Sequence, residues 1–263
     1  MRALDQNQMS NRSIITDSGS SFLIPDLVWF ENIKSQGWRD DVRRSFEVFH
    51  DFPNRLHIAF PVGTLLRHEL VTRSRISDPV DYDGTSRLRN LLAKDNYVDA
   101  IENNVGVLRR SGLEPVVHLA DSRSEIEFAM EELERIVGRT YIHDLRGQRS
   151  AKSAATMVSF APKITDIAEH NLLHTLSEFG IQGSDYKELS LRSSALFRTL
   201  FCFWCQVFQY TMGSPHLQKG DKKLVNDLVD SDYAIVASYC ESLETSDIHL
   251  RQRYDAVMVA IRS

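Results

Sequence analysis

The apolar positions of this chain change period several times, and each change marks an element. Toward the C-terminus Leu228, Val229, Val236, Tyr239 and Cys240 recur at helical spacing. A brief run over residues 242–245 then predicts a strand, with Asp247 just past its end. Upstream, residues 13–16 read as a buried strand and residues 56–60 as a second, stopped by Pro61. Residues 22–25 offer a competing strand. Pro25, however, suits the first turn of a helix that continues through Leu27, Phe30 and Ile33. Residues 43–49 and 64–70 predict further helices.

The middle of the chain reads as helical throughout. Ser124 and Glu127 have capping-box spacing at the head of a helix through Ile126, Ala129, Met130, Leu133 and Val137, with Gly138 at its end. Residues 164–179 make another, stopped by Gly180. Residues 189–212 form a long aromatic-rich helix, ended by Gly213 and Pro215. Its stripe of Phe197, Phe201, Trp204 and Phe208 is most simply core, and it is also a candidate face for homo-oligomer formation. Residues 257–261 read as an edge strand, and the polar residues 1–11 as a flexible N-terminus. The fold class that follows is α/β. A parallel sheet comes from residues 12–70 and 221–263, interrupted by an all-helical insertion over 71–220.

Composition narrows the partners. Of 263 residues 42% are hydrophobic and 25% charged, ordinary globular values. The formal charge of −5 creates no global basic field to attract nucleic acid, so such a partner requires a local patch. The most basic loop spans residues 146–152, and Arg146, Arg149 and Lys152 are its candidate phosphate contacts. No apolar run reaches the roughly 18 residues of a membrane helix. The first residues lack the apolar core of a signal peptide. Three cysteines argue against a disulfide framework. A cytoplasmic protein with no membrane association is the expectation.

Several acids fall where chemistry is expected. Asp17 follows the first predicted strand and precedes small residues that permit close ligand approach. Asp26 follows the competing strand. Glu69 lies in the helix after the second strand, and Asp227 and Asp230 share a face of the helix before the last strand. Thr245 and Asp247 follow that strand, where open α/β sheets bind ligands. Each has a plain structural alternative, as helix cap, turn former or solvated charge. Two rival constellations are weaker. Cys202 and Cys205 have metal-pair spacing inside an apolar helix, where buried thiols are the simpler reading. Asp166, His170, His174 and Glu178 form a column suited to a transition metal, on what should be a wet face.

An acid, a small-residue helix and then Thr245-x-Asp247 resembles the C-terminal signature of PIN-domain nucleases. The strand, proline, apolar residues and Glu69 resemble that family's second acidic motif, and residues 13–19 resemble its opening. The resemblance implies a PIN-like parallel sheet and a cluster of Asp17, Glu69, Asp230 and Asp247 holding Mg²⁺ or Mn²⁺, with Asp26 and Asp227 as alternates. It implies that Thr245 orients the last loop, and that the chain is a hydrolase, an endoribonuclease cleaving RNA or other single strands. Toxin, defence-effector and RNA-processing roles all fit. Gly19, where the family often has Asn or Ser, and the acidic composition favour the alternative of a catalytically degenerate PIN-like interaction module. A helical scaffold whose acids are only caps is the remaining alternative.

Overall fold

In the computed structural model, which describes residues 1–17, 19–33, 36–102, 119–147, 154–181, 191–213 and 221–263, four short strands form one sheet. They are β1 (Arg2–Leu4), β2 (Phe22–Ile24), β3 (Leu56–Ile58) and β4 (Ser242–Glu244). The order is β3-β2-β1-β4, and every neighbouring pair is parallel. Ala3 lies opposite Leu23 on one side and Leu243 on the other, and Leu23 lies opposite His57. The chain is therefore α/β with a parallel sheet, as the pattern of the sequence predicts.

The first strand differs from expectation. Arg2–Leu4 lies inside the sheet, not in a flexible terminus, with Ala3 and Leu4 buried between two parallel neighbours. Residues 13–16 are not a strand. They belong to helix α1 (Arg12–Asp17), which turns Ile15 fully into the core. The competing run is the real strand, β2, and α2 (Leu27–Ile33) follows it as Pro25 predicts. Helix α3 (Trp38–Asp51) then leads to β3, and α4 (Val62–Thr72) and α5 (Tyr82–Leu92) follow.

Two compact units emerge, and each is built from separate stretches of chain. The sheet unit comprises Met1–Leu65, the described part of Ser77–Pro115, and Val236–Asp247. One face of its sheet carries Leu4, Phe22, Ile24, Leu56 and Ile58, packed in a core with Phe46 and Phe49 of α3 and Leu88 and Leu92 of α5. Ala3, Leu23 and Leu243, on the opposite face, are buried as well. A parallel sheet is expected to be covered on both sides. Helix α5 thus belongs to the sheet unit, although it lies within the stretch expected to be an insertion.

The helical unit comprises Leu66–Ile76, the described parts of Val116–Ile235, and Ile248–Ser263. Its elements are α6 (Leu119–Val137), α7 (Arg139–Gly147), α8 (Ala154–Glu178), α9 (Ala195–Thr211), α10 (Asp221–Ala237) and α11 (Ile248–Arg262). Helix α8 packs on both α9 and α11, and α9 packs on α6. Ser124 lies inside α6 rather than at its head, so it is not a cap. Gly138 and Gly180 adopt positive φ just beyond α6 and α8, where the sequence predicts the stops. Residues 257–261 are the end of α11 and not an edge strand: Leu250, Tyr254, Val257 and Ala260 are buried at helical spacing. Among the described residues no helix is long and apolar enough to cross a membrane.

Candidate functional site

The strand order creates a switch point. The chain moves from β1 to β2 to β3 in one direction, and β4 lies on the other side of β1. Beyond the carboxyl ends of the two strands that flank such a point, open sheets leave a crevice suited to ligands. Here β1 runs directly into Asp5 and β4 into Thr245.

Asp5 is 3% exposed. Its Oδ1 accepts the N–H groups of Asn7 and Gln8, which caps a short 3₁₀ turn over Gln6–Gln8. Its Oδ2 accepts from the hydroxyl of Thr245. Thr245 Oγ1 in turn accepts the N–H of Asp247 at 3.0 Å. The backbone N–H of Asp5 also bonds the carbonyl of Glu244 at 3.2 Å, tying the two strand ends together. One hydroxyl thus bridges the first acid and the loop that carries the last. Burial pushes the Asp5 carboxyl above its ordinary range, against the pull of the hydrogen bonds from Thr245, Asn7 and Gln8; the nearby charge of Asp247 pushes the same way as burial.

Thr245 and Asp247 therefore stand where the sequence predicts them, and the acid that joins them is Asp5. Asp17 ends α1, within the β1-to-β2 crossover, and does not follow a strand. Asp26 follows β2 by two residues, and its carboxylate accepts the N–H of Leu27 at the entry to α2. Burial is the main cause of its raised pKa.

The other predicted acids belong to the helical unit. Glu69 is 2% exposed. Its Oε2 accepts the N–H groups of Ala195 (2.7 Å) and Leu196 (3.3 Å) at the start of α9, and its Oε1 accepts that of Ile76 at 3.4 Å. Burial raises its pKa, and these donors together with the Arg198 charge counter the rise. Such bonding is that of a helix cap supplied from a distant segment. Asp227 is buried and accepts the hydroxyl proton of Tyr210 at 2.6 Å. Arg253, also buried, donates to the Asp227 carbonyl, the Ser231 hydroxyl and Gln209 Oε1. Asp230 is half-buried on the same helix as Asp227.

Arg146 Nε donates to the Thr211 carbonyl and its Nη2 pairs with Glu134 at 2.6 Å, so this guanidinium is engaged within the helical unit. Arg149 and Lys152 lie outside the described residues. Phe197, Phe201, Trp204 and Phe208 are buried, so the stripe is core. Cys202 and Cys205 are buried free thiols; burial pushes Cys202 up to about 12 and Cys205 well above its ordinary value. Asp166, His170, His174 and Glu178 are exposed on α8, the wet face the sequence predicts.

The donors at the switch point have hard oxygens. Mg²⁺ keeps several waters and is commonly held by one or two carboxylates, and the switch point carries two acids, Asp5 and Asp247. Among the described residues no group of three or more His, Cys, Asp or Glu side chains is arranged to hold a metal. Sequence reasoning missed Asp5 because only three residues of strand precede it. The available signal was an acid directly after the apolar pair Ala3-Leu4. A scan against family models finds no match, and neither curated proteins nor solved structures include a chain that matches this one.

Proposed function

We propose that this chain is a PIN-like, metal-dependent phosphodiesterase acting on RNA or other single strands, with its active site at the switch point between β1 and β4. The observation that carries the reading is the linked group Asp5–Thr245–Asp247 beyond the carboxyl ends of two adjacent parallel strands. Asp5 takes the place that the sequence resemblance assigns to Asp17. Asp5 and Asp247 are the proposed carboxylate ligands for Mg²⁺ or Mn²⁺. A divalent cation held there supplies charge stabilisation for phosphoryl oxygens and lowers the pKa of water.

The chain's own residues do the rest. Thr245 donates to Asp5 and accepts from the Asp247 backbone, so it fixes both acids against the strand ends. Asn7 and Gln8 hold the second oxygen of Asp5. Glu69 caps the start of α9 within the helical unit, so its proposed role is structural.

The test is cleavage of single-stranded RNA with Mn²⁺. Asp5→Asn and Asp247→Asn should each lower the rate at least about a hundredfold, the scale of a lost electrostatic stabiliser. Asp17→Asn should retain most of the wild-type rate. Cleavage that survives Asp5→Asn and is lost in Asp17→Asn would overturn the assignment. Absence of Mn²⁺-dependent cleavage would overturn the activity and favour the non-catalytic module.

A further inference from the structure

The segment Leu66–Ile76 of the helical unit, which is the latter part of α4 and the residues just after it, holds Arg67, His68, Arg73 and Arg75 and a single acid, Glu69. That acid is turned inward and consumed as the cap of α9. All four basic side chains are exposed. The outward charge of the segment is therefore positive only, on a chain whose formal charge is −5. Cations elsewhere, such as Arg39, Arg135 and Arg192, are in ion pairs. Arg67 and Arg75 have no ion pair or hydrogen bond among the described residues. On α4, Arg67, His68 and Val71 lie on the side opposite buried Val62, Leu65 and Glu69, and Val71 is 73% exposed among the cations.

The backbone supplies an independent observation. Arg73 has φ 55°, and it is the one non-glycine residue with positive φ among the described residues. Its N–H bonds the Glu69 carbonyl at 2.8 Å, which closes the helix at a position that glycine fills without strain. A strained arginine at a glycine position points to a use for its side chain.

We infer that the exposed face of Leu66–Ile76 is a docking surface for the phosphate backbone of a single-stranded nucleic acid, with Arg67, Arg73 and Arg75 as its contacts. The inference rests on the phosphodiesterase reading for the class of its ligand. Phosphate contacts position a strand without reading its sequence, and exposed Val71 offers an apolar atom surface to a base. Arginine suits the task because its planar fork matches phosphate oxygens.

The experiment uses the full chain, fluorescent oligouridine and EDTA, so that binding is measured without cleavage. Arg67→Ala with Arg75→Ala should weaken binding roughly 25-fold at 0.1 M salt and reduce the salt slope by about 1.4, the release of counterions from two phosphate contacts. Arg73→Gly should bind more weakly, and the deficit should grow as salt is lowered, which loss of a purely structural arginine would not produce. A salt slope unchanged in the double variant overturns the inference. So does a wild-type chain that ignores oligouridine, or that binds only vesicles containing phosphatidylserine. The two proposals separate cleanly. Cleavage that survives Asp5→Asn, together with binding lost in the arginine variants, removes the active site and supports the surface.

Discussion

Asp5 carries a carboxyl group where an anion is costly. Burial raises its pKa, and only part of that is offset by Thr245, Asn7 and Gln8. The folded chain therefore binds this proton more tightly than the unfolded chain does. Stability from the group is fully present below the ordinary carboxylate range and is lost as pH rises through the folded value. Asp5→Asn keeps an acceptor oxygen and removes the titration. The melting temperature of Asp5→Asn minus that of wild type should thus grow as pH rises from about 4 toward neutrality. A flat difference would show that the carboxyl is not perturbed. The same residue shows what a sequence can conceal. Thr245 and Asp247 are recognisable because a long helix of clear period leads up to the short strand before them. Asp5 follows a strand of three residues, too short to show any period. Ser13-Ile14-Ile15-Thr16, richer in β-branched residues, draws the assignment away although it is helical.

At the level of elements, the reliable signals are those with a hard stop or a long repeat. Pro61 ends the β3 region, Pro25 opens α2, and the glycines after α6 and α8 end those helices. Short windows fail in both directions. Val257-Met258-Val259-Ala260-Ile261 looks like a strand alone, yet from Leu250 onward the buried positions follow a helical period. Glu69 illustrates a different limit, since its partners lie about 126 residues away in sequence. No local pattern distinguishes an exposed helix glutamate from a long-range cap. Glu69→Ala should orphan the N–H groups of Ala195 and Leu196 at the buried start of α9. The expected loss is about 1–3 kcal/mol, and at roughly 2–4 °C per kcal/mol for a chain of this size the melting temperature should fall by several degrees. Glu69→Gln, which keeps an acceptor, should lose less. Equal losses would mean that packing, rather than capping, sets the cost.

The whole molecule has a sheet of very short strands, so its ladder contributes few hydrogen bonds, and the aromatic core behind it carries much of the sheet unit. Phe22 of β2 meets Phe49 of α3 edge to face at 6.4 Å between centroids, with Phe46 fully buried beside them. This core fixes the strand ends, and the strand ends carry Asp5 and Asp247. A ligand that binds there only in the folded state must raise the stability of the chain. For Mn²⁺ at a hundredfold excess over its dissociation constant the gain is about 2.7 kcal/mol, visible as a higher melting temperature. Asp5→Asn with Asp247→Asn should abolish the gain, because two neutral amides do not replace two carboxylates around a hard cation. The comparison is between shifts, with and without Mn²⁺, for each protein, so any change in the metal-free stability of the variant drops out. Sodium chloride at the same ionic strength controls for screening of the acidic chain. If Mn²⁺ shifts wild type and the double variant equally, the cation binds elsewhere and the switch-point acids are not its ligands.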